Sequence, residues 1–509
     1  MLYSSNRRRF LQHAAAGAVS TSVAAGLGTW TDNAFSQHAS SQSGWALGTM
    51  QTSSPNGSTQ RPRDLKVSTF KVKVTPPMGH GCCGGWIKPV EAITDDLEAI
   101  GIVLSGDFQP IVLCAVDWTG ILNRTHLLWR ETIAKAVKTT PERVAVQCVH
   151  QHNAPFACLD AQAMVAKHND LPAICDSDYV VDCANRVAQA AADSMAKRQP
   201  LTHLEIGKAK VERVASNRRM VNDAGELVDW RGSSSRNPAH KEWPEGLIDP
   251  WLRTIAFCNG GRRVAALHYY ATHPMSFYGD GLVTSDFVGI ARKAKQAESP
   301  DCMHVYFTGC SGNIAAGKYN DGSPEARKQL TERMKQAMDD AEKSLETVDI
   351  DRLDWRHQEA LPIPKPELKE AALLKQIADV SQRVVDRNRP AFQAAWLQRF
   401  QNKQPIILSA LHLGPTTILH LPAESFIEYQ LAAQAMQPEQ FVCMAAYGDY
   451  GPGYIGTSIS YGQGGYETSR VSRTAPEVEG VLTEGIAELL GVDGSRKDAP
   501  ATQVPSLIK

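Results

Sequence analysis

Short apolar runs rich in β-branched residues recur from residue 65 onwards, and they predict buried strands. These runs cover residues 67–74, 100–106, 110–118, 143–150, 251–258, 263–271, 303–309 and 416–424. Segments with apolar residues at helical spacing alternate with them, at 126–140, 178–198 and 324–348. This alternation predicts an α/β fold of layered, mixed β-sheets flanked by helices.

The first residues carry the pattern of an export signal. Three consecutive arginines occur in Asn6-Arg7-Arg8-Arg9-Phe10-Leu11 and precede a mildly apolar stretch at 14–28. Paired arginines before such a stretch predict a twin-arginine signal peptide over residues 1–38. The stretch is too short and too rich in small residues for a stable membrane span. We therefore expect the twin-arginine export machinery as a partner and a periplasmic or secreted protein.

Composition divides the rest of the chain. Residues 39–65 are rich in Ser, Gln, Gly and Thr, which is typical of a disordered linker. Residues 66–492 carry the strand and helix patterns and form the predicted catalytic domain, with a polar helical stretch at 366–400 interpreted as an insertion. Residues 493–509 are predicted to be a disordered tail.

Charge and cysteine content exclude some classes of function. The 53 basic and 54 acidic residues give a net charge of −1, so no long-range field attracts nucleic acid or an anionic membrane. A neutral or locally recognised substrate fits this balance better. The 11 cysteines form no CxxC pair, and their odd number leaves at least one unpaired. We expect mostly buried free thiols.

Three predicted strands end in residues that can bind a metal. One runs into His150-Gln151-His152, another into Thr272-His273-Pro274, and a third into Glu424. Because alternate residues of an extended segment point to the same side, His150 and His152 face one cleft. Neutral imidazole both coordinates zinc and titrates near neutrality. The pair therefore offers two ligands, or one ligand and one acid/base group.

Each of these residues also has a structural interpretation. The histidines alone are as compatible with ordinary core or surface positions, and a glutamate at a helix start stabilises the helix dipole without any metal. Ser276, Ser285 and Ser311 suggest a serine nucleophile, but no G-x-S-x-G elbow follows a strand. A two-metal phosphoesterase would need a denser cluster of carboxylates than the sequence contains.

Eight motifs occur in the order found in one known family. They are TPPMGHG at 75–81, VHQHNAP at 149–155, Asn217-Arg218-Arg219, ATHP at 271–274, Ser285-Asp286, FTGCSGN at 307–313, LPAE at 421–424 and Gly453-Tyr454-Ile455-Gly456-Thr457. In this order they resemble the catalytic domain of the neutral, non-lysosomal ceramidases. The resemblance ends near residue 490, before the position of the family's immunoglobulin-like domain.

The resemblance implies a zinc ion bound by His150, His273, Glu424 and Tyr454. Four other tyrosines compete for the last role: Tyr447, Tyr450, Tyr461 and Tyr466. It also implies that His152 is a proton shuttle or oxyanion partner and that Arg218 holds a polar group of the substrate. Asp117 and Asp286 follow apolar strands, and we expect them to orient the ligand histidines.

The resemblance implies an exported zinc hydrolase that cleaves an amide or ester bond in an acylated lipid or small molecule, with zinc-bound water as nucleophile. The sequence departs from the family at Ala315, where ceramidases carry a serine proposed as the nucleophile. Either water attacks and that serine is dispensable, or ceramide is not the substrate. The alternative function is a metal- or ligand-binding protein that keeps the fold without hydrolysis.

Overall fold

Apolar strands assemble into three mixed β-sheets of four or five strands each. The computed structural model describes residues 63–492, so the predicted signal peptide, most of the predicted linker and the predicted tail lie outside the described residues. The described part contains several further two-stranded pairs between loops. The prediction of layered mixed sheets flanked by helices is confirmed.

Each large sheet has one parallel strand pair at its edge. The first sheet consists, in spatial order, of Val144–Cys148, Ile111–Val116, Glu98–Ser105, Lys66–Lys73 and Gln199–Pro200. The second consists of Met303–Thr308, Arg262–Tyr270, Trp251–Asn259, His203–Lys210 and Glu346–Val348. The third consists of Leu353–Ala360, Ile406–Leu413, Thr416–His420 and Phe441–Ala445. The parallel pairs join 111–116 to 144–148, 262–270 to 303–308, and 416–420 to 441–445.

Helices cover the sheets. The α-helices of the described part are Asn123–Val137, Leu159–Val165, Ser177–Ser194, Pro238–Glu242, Asp286–Glu298, Pro324–Lys343, Glu370–Ala378, Val384–Gln401, Ile427–Met436, Ser458–Gln463 and Val478–Leu490. Ser323 and Asp176 cap two of the longer helices through their side-chain oxygens, as expected for residues of these types. None of these described helices is long and apolar enough to cross a membrane.

The carboxyl ends of the three parallel pairs meet. Ala446 N donates to Thr308 O over 2.9 Å, which links the third sheet to the second, and Cys148 N donates to Tyr447 O over 2.8 Å, which links the first to the third. The buried side-chain amide of Gln147 also donates hydrogen bonds to three carbonyl oxygens at the strand ends of the third sheet, including Ala445 O at 2.8 Å. Side chains just after these strands are therefore brought to one point.

The helical stretch predicted at 366–400 forms two helices, Glu370–Ala378 and Val384–Gln401. The second helix is built into the core, because Phe392 and Trp396 are fully buried and Asn388 Nδ2 donates to Gly84 O over 2.9 Å. All eleven cysteines are buried and unpaired, as predicted.

Candidate metal centre

Four side chains from separate loops converge where the three sheets meet. His150 Nε2 lies 3.2 Å from His273 Nε2. Glu424 Oε2 lies 2.8 Å from His273 Nε2 and 3.4 Å from His150 Nε2. The Tyr454 hydroxyl lies 3.3 Å from His273 Nε2. All four residues are buried, so the four groups of the predicted ligand set share one small space.

Backbone strain accompanies this convergence. His150, Ala423 and Tyr447 have positive φ angles of 79°, 52° and 62°, in the left-handed region that non-glycine residues avoid. Each lies within three residues of the carboxyl end of a sheet strand. The chain thus turns sharply off the strands, and this strain is concentrated at the point where the polar side chains meet.

The two ligand histidines have the same tautomer. Nδ1 of His150 lies 2.6 Å from Thr119 O, and Nδ1 of His273 lies 2.7 Å from Ser311 O. A carbonyl only accepts hydrogen bonds, so each Nδ1 carries the hydrogen and each Nε2 presents a lone pair. Burial lowers the pKa of His273, which keeps this imidazole neutral at pH 7.

The carboxylate of Glu424 lies beside these two lone pairs. Burial raises the pKa of Glu424, whereas positive charge at His150 and His273 lowers it well below its usual range. With both imidazoles neutral, ionisation of the carboxylate depends on a cation at the centre, and Glu424 Oε2 has no hydrogen-bond donor. Two imidazole lone pairs and a carboxylate oxygen face one another without a proton between them. This arrangement fits a bound divalent cation and is unfavourable without one.

The sheet register identifies Tyr454 as the tyrosine of this group. Residues Glu424–Ser425 and Tyr454–Ile455 form a short parallel pair in which Glu424 is the direct partner of Tyr454. Tyr447 lies on the Nδ1 side of His273, and its hydroxyl is 2.7 Å from Ser311 Oγ.

The other competing tyrosines have different neighbours. Tyr461 bonds Ser472 and Thr474, while Tyr450 stacks on the His150 ring at 5.7 Å and Tyr466 packs edge to face on Tyr454 at 6.0 Å. None of the three has a recorded contact with an Nε2 atom within the described residues.

His152 borders the same centre. Its ring centroid lies 4.6 Å from that of His150 and 5.7 Å from that of His273, and one nitrogen from each ring falls within 4.8 Å of the others. Nδ1 of His152 is buried without a hydrogen-bond partner. Burial, aided by the neighbouring imidazoles, lowers the His152 pKa well below its usual value. A neutral ring with a free nitrogen can accept a proton or coordinate a metal.

Arg218 is a buried residue of the centre rather than a surface arginine. Its Nη1 donates to the Tyr454 hydroxyl over 3.1 Å, and its guanidinium stacks over the Trp230 ring at 4.7 Å. Nε lies 3.6 Å from Glu467 Oε1, a buried carboxylate that Arg218 shares with Arg219. Its predicted contact with substrate stays a prediction.

The expectation that Asp117 and Asp286 orient the ligand histidines was wrong. Asp117 accepts from Gln151 and from the backbone of Glu98, and Asp286 accepts from Ser276. Backbone carbonyls occupy the positions next to the histidine Nδ1 atoms, because the tight turns at the strand ends bring the main chain there.

Ala315 lies directly beside the centre. It is fully buried, pairs with Ser216 in a two-stranded ladder and forms an isolated bridge with His273. The side chain at this position carries no hydroxyl. A neighbouring hydroxyl, Ser311 Oγ, is bonded to Tyr447.

Two other groups of potential ligands occur in the described residues, His203 with Glu205 and Cys258, and His268 with His304 and Glu342. In the second, Lys295 Nζ lies 2.9 Å from Glu342 and neutralises the carboxylate that a metal would need. The centre at His150 suits a cation because its histidines present Nε2 lone pairs, Glu424 supplies a carboxylate, and these residues are buried.

Comparison with solved structures places this architecture. The chain is similar to a ceramidase complexed with C2, at 14% sequence identity and a TM-score of 0.61, over 85% of this chain and 76% of that chain. It is also similar to the neutral ceramidase of Pseudomonas aeruginosa, at 16% identity and a TM-score of 0.61, over 84% and 75% of the two chains. The fold is that of the neutral ceramidases. No family model and no curated protein sequence matches the chain.

The ceramidase fold thus explains why eight short motifs keep their order although overall identity is low. Sequence reasoning did not identify the aromatic residues around the centre, among them Trp86, Tyr278 and Trp230. The only available signal was their proximity to the motifs, for example Trp86 just after TPPMGHG. Because these aromatic residues lie outside the motifs, the sequence did not indicate that they lie near the centre.

Proposed function

We propose that this protein is a metal-dependent hydrolase, with zinc as the metal, that cleaves an amide or ester bond in an acylated lipid or small molecule. The observation that carries the proposal is the convergence of two Nε2 lone pairs and a carboxylate oxygen that has no hydrogen-bond donor. Two histidines, a glutamate and a tyrosine supply four ligands without any cysteine, and a water or the substrate carbonyl takes a fifth position in the expanded coordination that catalytic zinc allows.

In this proposal His150, His273, Glu424 and Tyr454 hold the metal. When bound, zinc supplies Lewis-acid polarisation of a carbonyl and lowers the pKa of water. The tautomers of the two histidines are fixed by Thr119 O and Ser311 O, so their Nε2 atoms are presented without reorganisation.

His152 holds and moves the proton. Its lowered pKa keeps the ring unprotonated at pH 7, so the free Nδ1 is available to accept a proton from the attacking group, and the protonated ring is then acidic enough to return it to the leaving amine or alcohol. Arg218 positions Tyr454 through the 3.1 Å hydrogen bond to its hydroxyl. Because Ala315 provides no hydroxyl at the family's serine position, the proposed nucleophile is water.

The place of action is proposed as well. The twin-arginine pattern at residues 6–11 supports export of the protein to the periplasm or the medium. Fractionation of cells that express the full chain, with Arg7 and Arg8 changed to lysine as the comparison, tests this part. Retention of both proteins in the cytoplasm contradicts it.

Metal content and hydrolysis test the central proposal together. Elemental analysis of the wild type is compared with His273→Ala, His152→Gln and the control His357→Gln, a partly buried histidine on the edge strand Leu353–Ala360. We expect about one zinc per chain in all but His273→Ala. Chromogenic N-acyl and O-acyl substrates should be cleaved by the wild type and the control, and about 10²–10⁴-fold more slowly by His152→Gln.

Several results contradict the assignment. A wild type without stoichiometric metal rules out the centre, and metal loss in His152→Gln makes His152 a ligand instead of a proton shuttle. Full activity in Ser311→Ala is expected, whereas inactivity with metal retained supports the serine alternative.

Ala315 favours a second candidate function, a metal-bearing binding protein without hydrolysis. Ala315 lies next to His273, and the short strand Ile314–Ala315 to which it belongs carries no hydroxyl side chain. Stoichiometric zinc together with ligand binding and no turnover of any acyl substrate would select this candidate.

A further inference from the structure

An aromatic rim borders the metal centre on the side of His152. It consists of Trp86, Tyr278 and Tyr466. Tyr278 lies 5.8 Å from the His152 ring, and Trp86 Nε1 donates to the Tyr278 hydroxyl over 3.1 Å. Tyr466 contacts Tyr454 from the opposite side. Because 45% of Tyr278 is exposed, the rim is open to solvent.

Arg389 connects the two sides of this rim. Its guanidinium lies 5.7 Å from the Trp86 ring centroid. Burial raises the pKa of Tyr466, and the charge of Arg389 opposes that rise more than any other group does. Arg389 belongs to the helix Val384–Gln401, which the amide of Asn388 fixes to Gly84 O. A partly exposed cation is therefore held in a defined place on the rim.

Arg389 has no ion pair within the described part of the chain. Its helix neighbours all have one, since Arg383 pairs with Asp386, Arg387 with Asp170 and Arg399 with Asp449. Among residues 63–492 no carboxylate is within ion-pair distance of Arg389, whose recorded contact is with the Trp86 ring.

A second arginine nearby lacks a carboxylate too. Arg473 is only 5% exposed and donates to Tyr450 O and Gly451 O at 3.1 and 2.8 Å, but its Nε has no partner. Burial, together with repulsion from Arg389, lowers the Arg473 pKa to about 10. No ion pair of Arg473 occurs in the part of the chain that the structure describes. Two cations thus approach each other without an anion between them.

Aromatic side chains surround both arginines. Arg473 lies 5.7 Å from the Phe392 ring, and Phe392 packs edge to face on Trp86 at 5.9 Å. Around the buried Arg473 such surroundings exclude water, and at the partly exposed Arg389 they reduce its access, which strengthens the attraction of an arginine for an anion. Arg218 differs in this respect, because it has a carboxylate partner in Glu467, which it shares with Arg219.

We propose that Arg389 is a specificity-determining residue that binds a carboxylate of the substrate, with Arg473 adding to the positive field. The substrate class is then an N-acylated amino acid rather than a neutral N-acyl amino alcohol. This inference rests on the proposed hydrolase function. The planar guanidinium fork matches a carboxylate in two parallel hydrogen bonds, which a hydroxyl cannot offer.

A matched pair of amides tests the inference. N-lauroylglycine and N-lauroylethanolamine have the same acyl chain and differ in a carboxylate against a hydroxymethyl group. We expect the zinc-loaded wild type to have the higher kcat/KM for N-lauroylglycine. Arg389→Met should lower that value about ten- to a hundredfold and change the value for the ethanolamide less than about threefold. The control Arg383→Met removes a charge from the same helix, at a residue paired with Asp386, and should change neither.

Binding separates this inference from the proposed function. Calorimetric titration of N-lauroylglycine into metal-free protein should show binding that weakens at least tenfold in Arg389→Met but not in Arg383→Met. If no amide is cleaved but this binding pattern holds, the hydrolase proposal fails and the carboxylate site stands. If both amides are cleaved equally by wild type and by Arg389→Met, hydrolysis stands and the carboxylate inference is overturned.

Discussion

Replacing Glu424 by glutamine should have opposite effects on the metal-loaded and metal-free protein. The substitution keeps the shape of the side chain and exchanges a carboxylate oxygen for an amide. In the metal-free protein, Glu424 Oε2 faces two Nε2 lone pairs at 2.8 and 3.4 Å without a proton between them. The amide of glutamine can donate a hydrogen bond to His273 Nε2, so the metal-free variant should be as stable as the wild type or more stable.

In the loaded protein the same change removes the one carboxylate ligand. Structural zinc contributes about 10–16 kcal/mol in zinc-finger peptides, which divided over four ligands is roughly 2.5–4 kcal/mol per ligand. Glu424→Gln should therefore weaken zinc binding about 10²–10³-fold. The gain in melting temperature on adding zinc should shrink accordingly.

The assay is thermal unfolding of both proteins after chelation and again at a series of free zinc concentrations, with competition against a chelator for the dissociation constant. His357→Gln controls for a substitution away from the centre. If the histidines were protonated and paired with Glu424, the variant would lose about 3–5 kcal/mol without metal. An equal loss of stability in the metal-free and loaded states refutes the reasoning about lone pairs.

Three further outcomes are expected. Tyr454→Phe should weaken zinc binding, whereas Tyr447→Phe, whose hydroxyl lies on the Nδ1 side of His273, should leave zinc affinity unchanged by chelator competition. Ala315→Ser should not increase kcat, because the proposed nucleophile is water; a large increase in steady-state turnover would assign the attack to a hydroxyl. Burial lowers the pKa of His420 to about 3. Between this value and the unfolded value of about 6.5, only the unfolded chain binds the proton, so stability falls as pH falls. In urea unfolding, the free energy of unfolding of His420→Leu should fall by about 2 kcal/mol less than that of the wild type between pH 7 and pH 5. Identical pH dependence of the two proteins would contradict this.

The convergence of the proposed ligands was predictable because three of them follow an apolar run that stops abruptly. His150, His273 and Glu424 all come after strands whose β-branched residues are buried on both faces. Parallel strands of this kind deliver their carboxyl ends to one edge of a sheet. The order of the motifs then supplied the partners that local pattern alone left open.

Other features have no local signal. Five tyrosines occur between 447 and 466 in a segment whose sequence has no hydrophobic periodicity, and only the pairing of Glu424 with Tyr454 separates them. Carbonyl acceptors for histidine Nδ1 depend on the path of the main chain, so aspartates at strand ends were chosen wrongly. The strand Leu353–Ala360 was missed because, at the edge of its sheet, it is largely polar. The helix carrying Arg389 was interpreted as an insertion, although its aromatic residues reach the core.

The joining of three sheets at one point has a consequence for biogenesis. None of the three large sheets supplies the whole proposed ligand set, and His150 and Tyr454 lie in distant parts of the chain. If the centre binds zinc as proposed, a nascent or half-assembled protein has nothing with which to capture the ion tightly, and the ion can enter only after the last sheet has docked. Zinc occupancy would then act as a checkpoint that marks finished molecules.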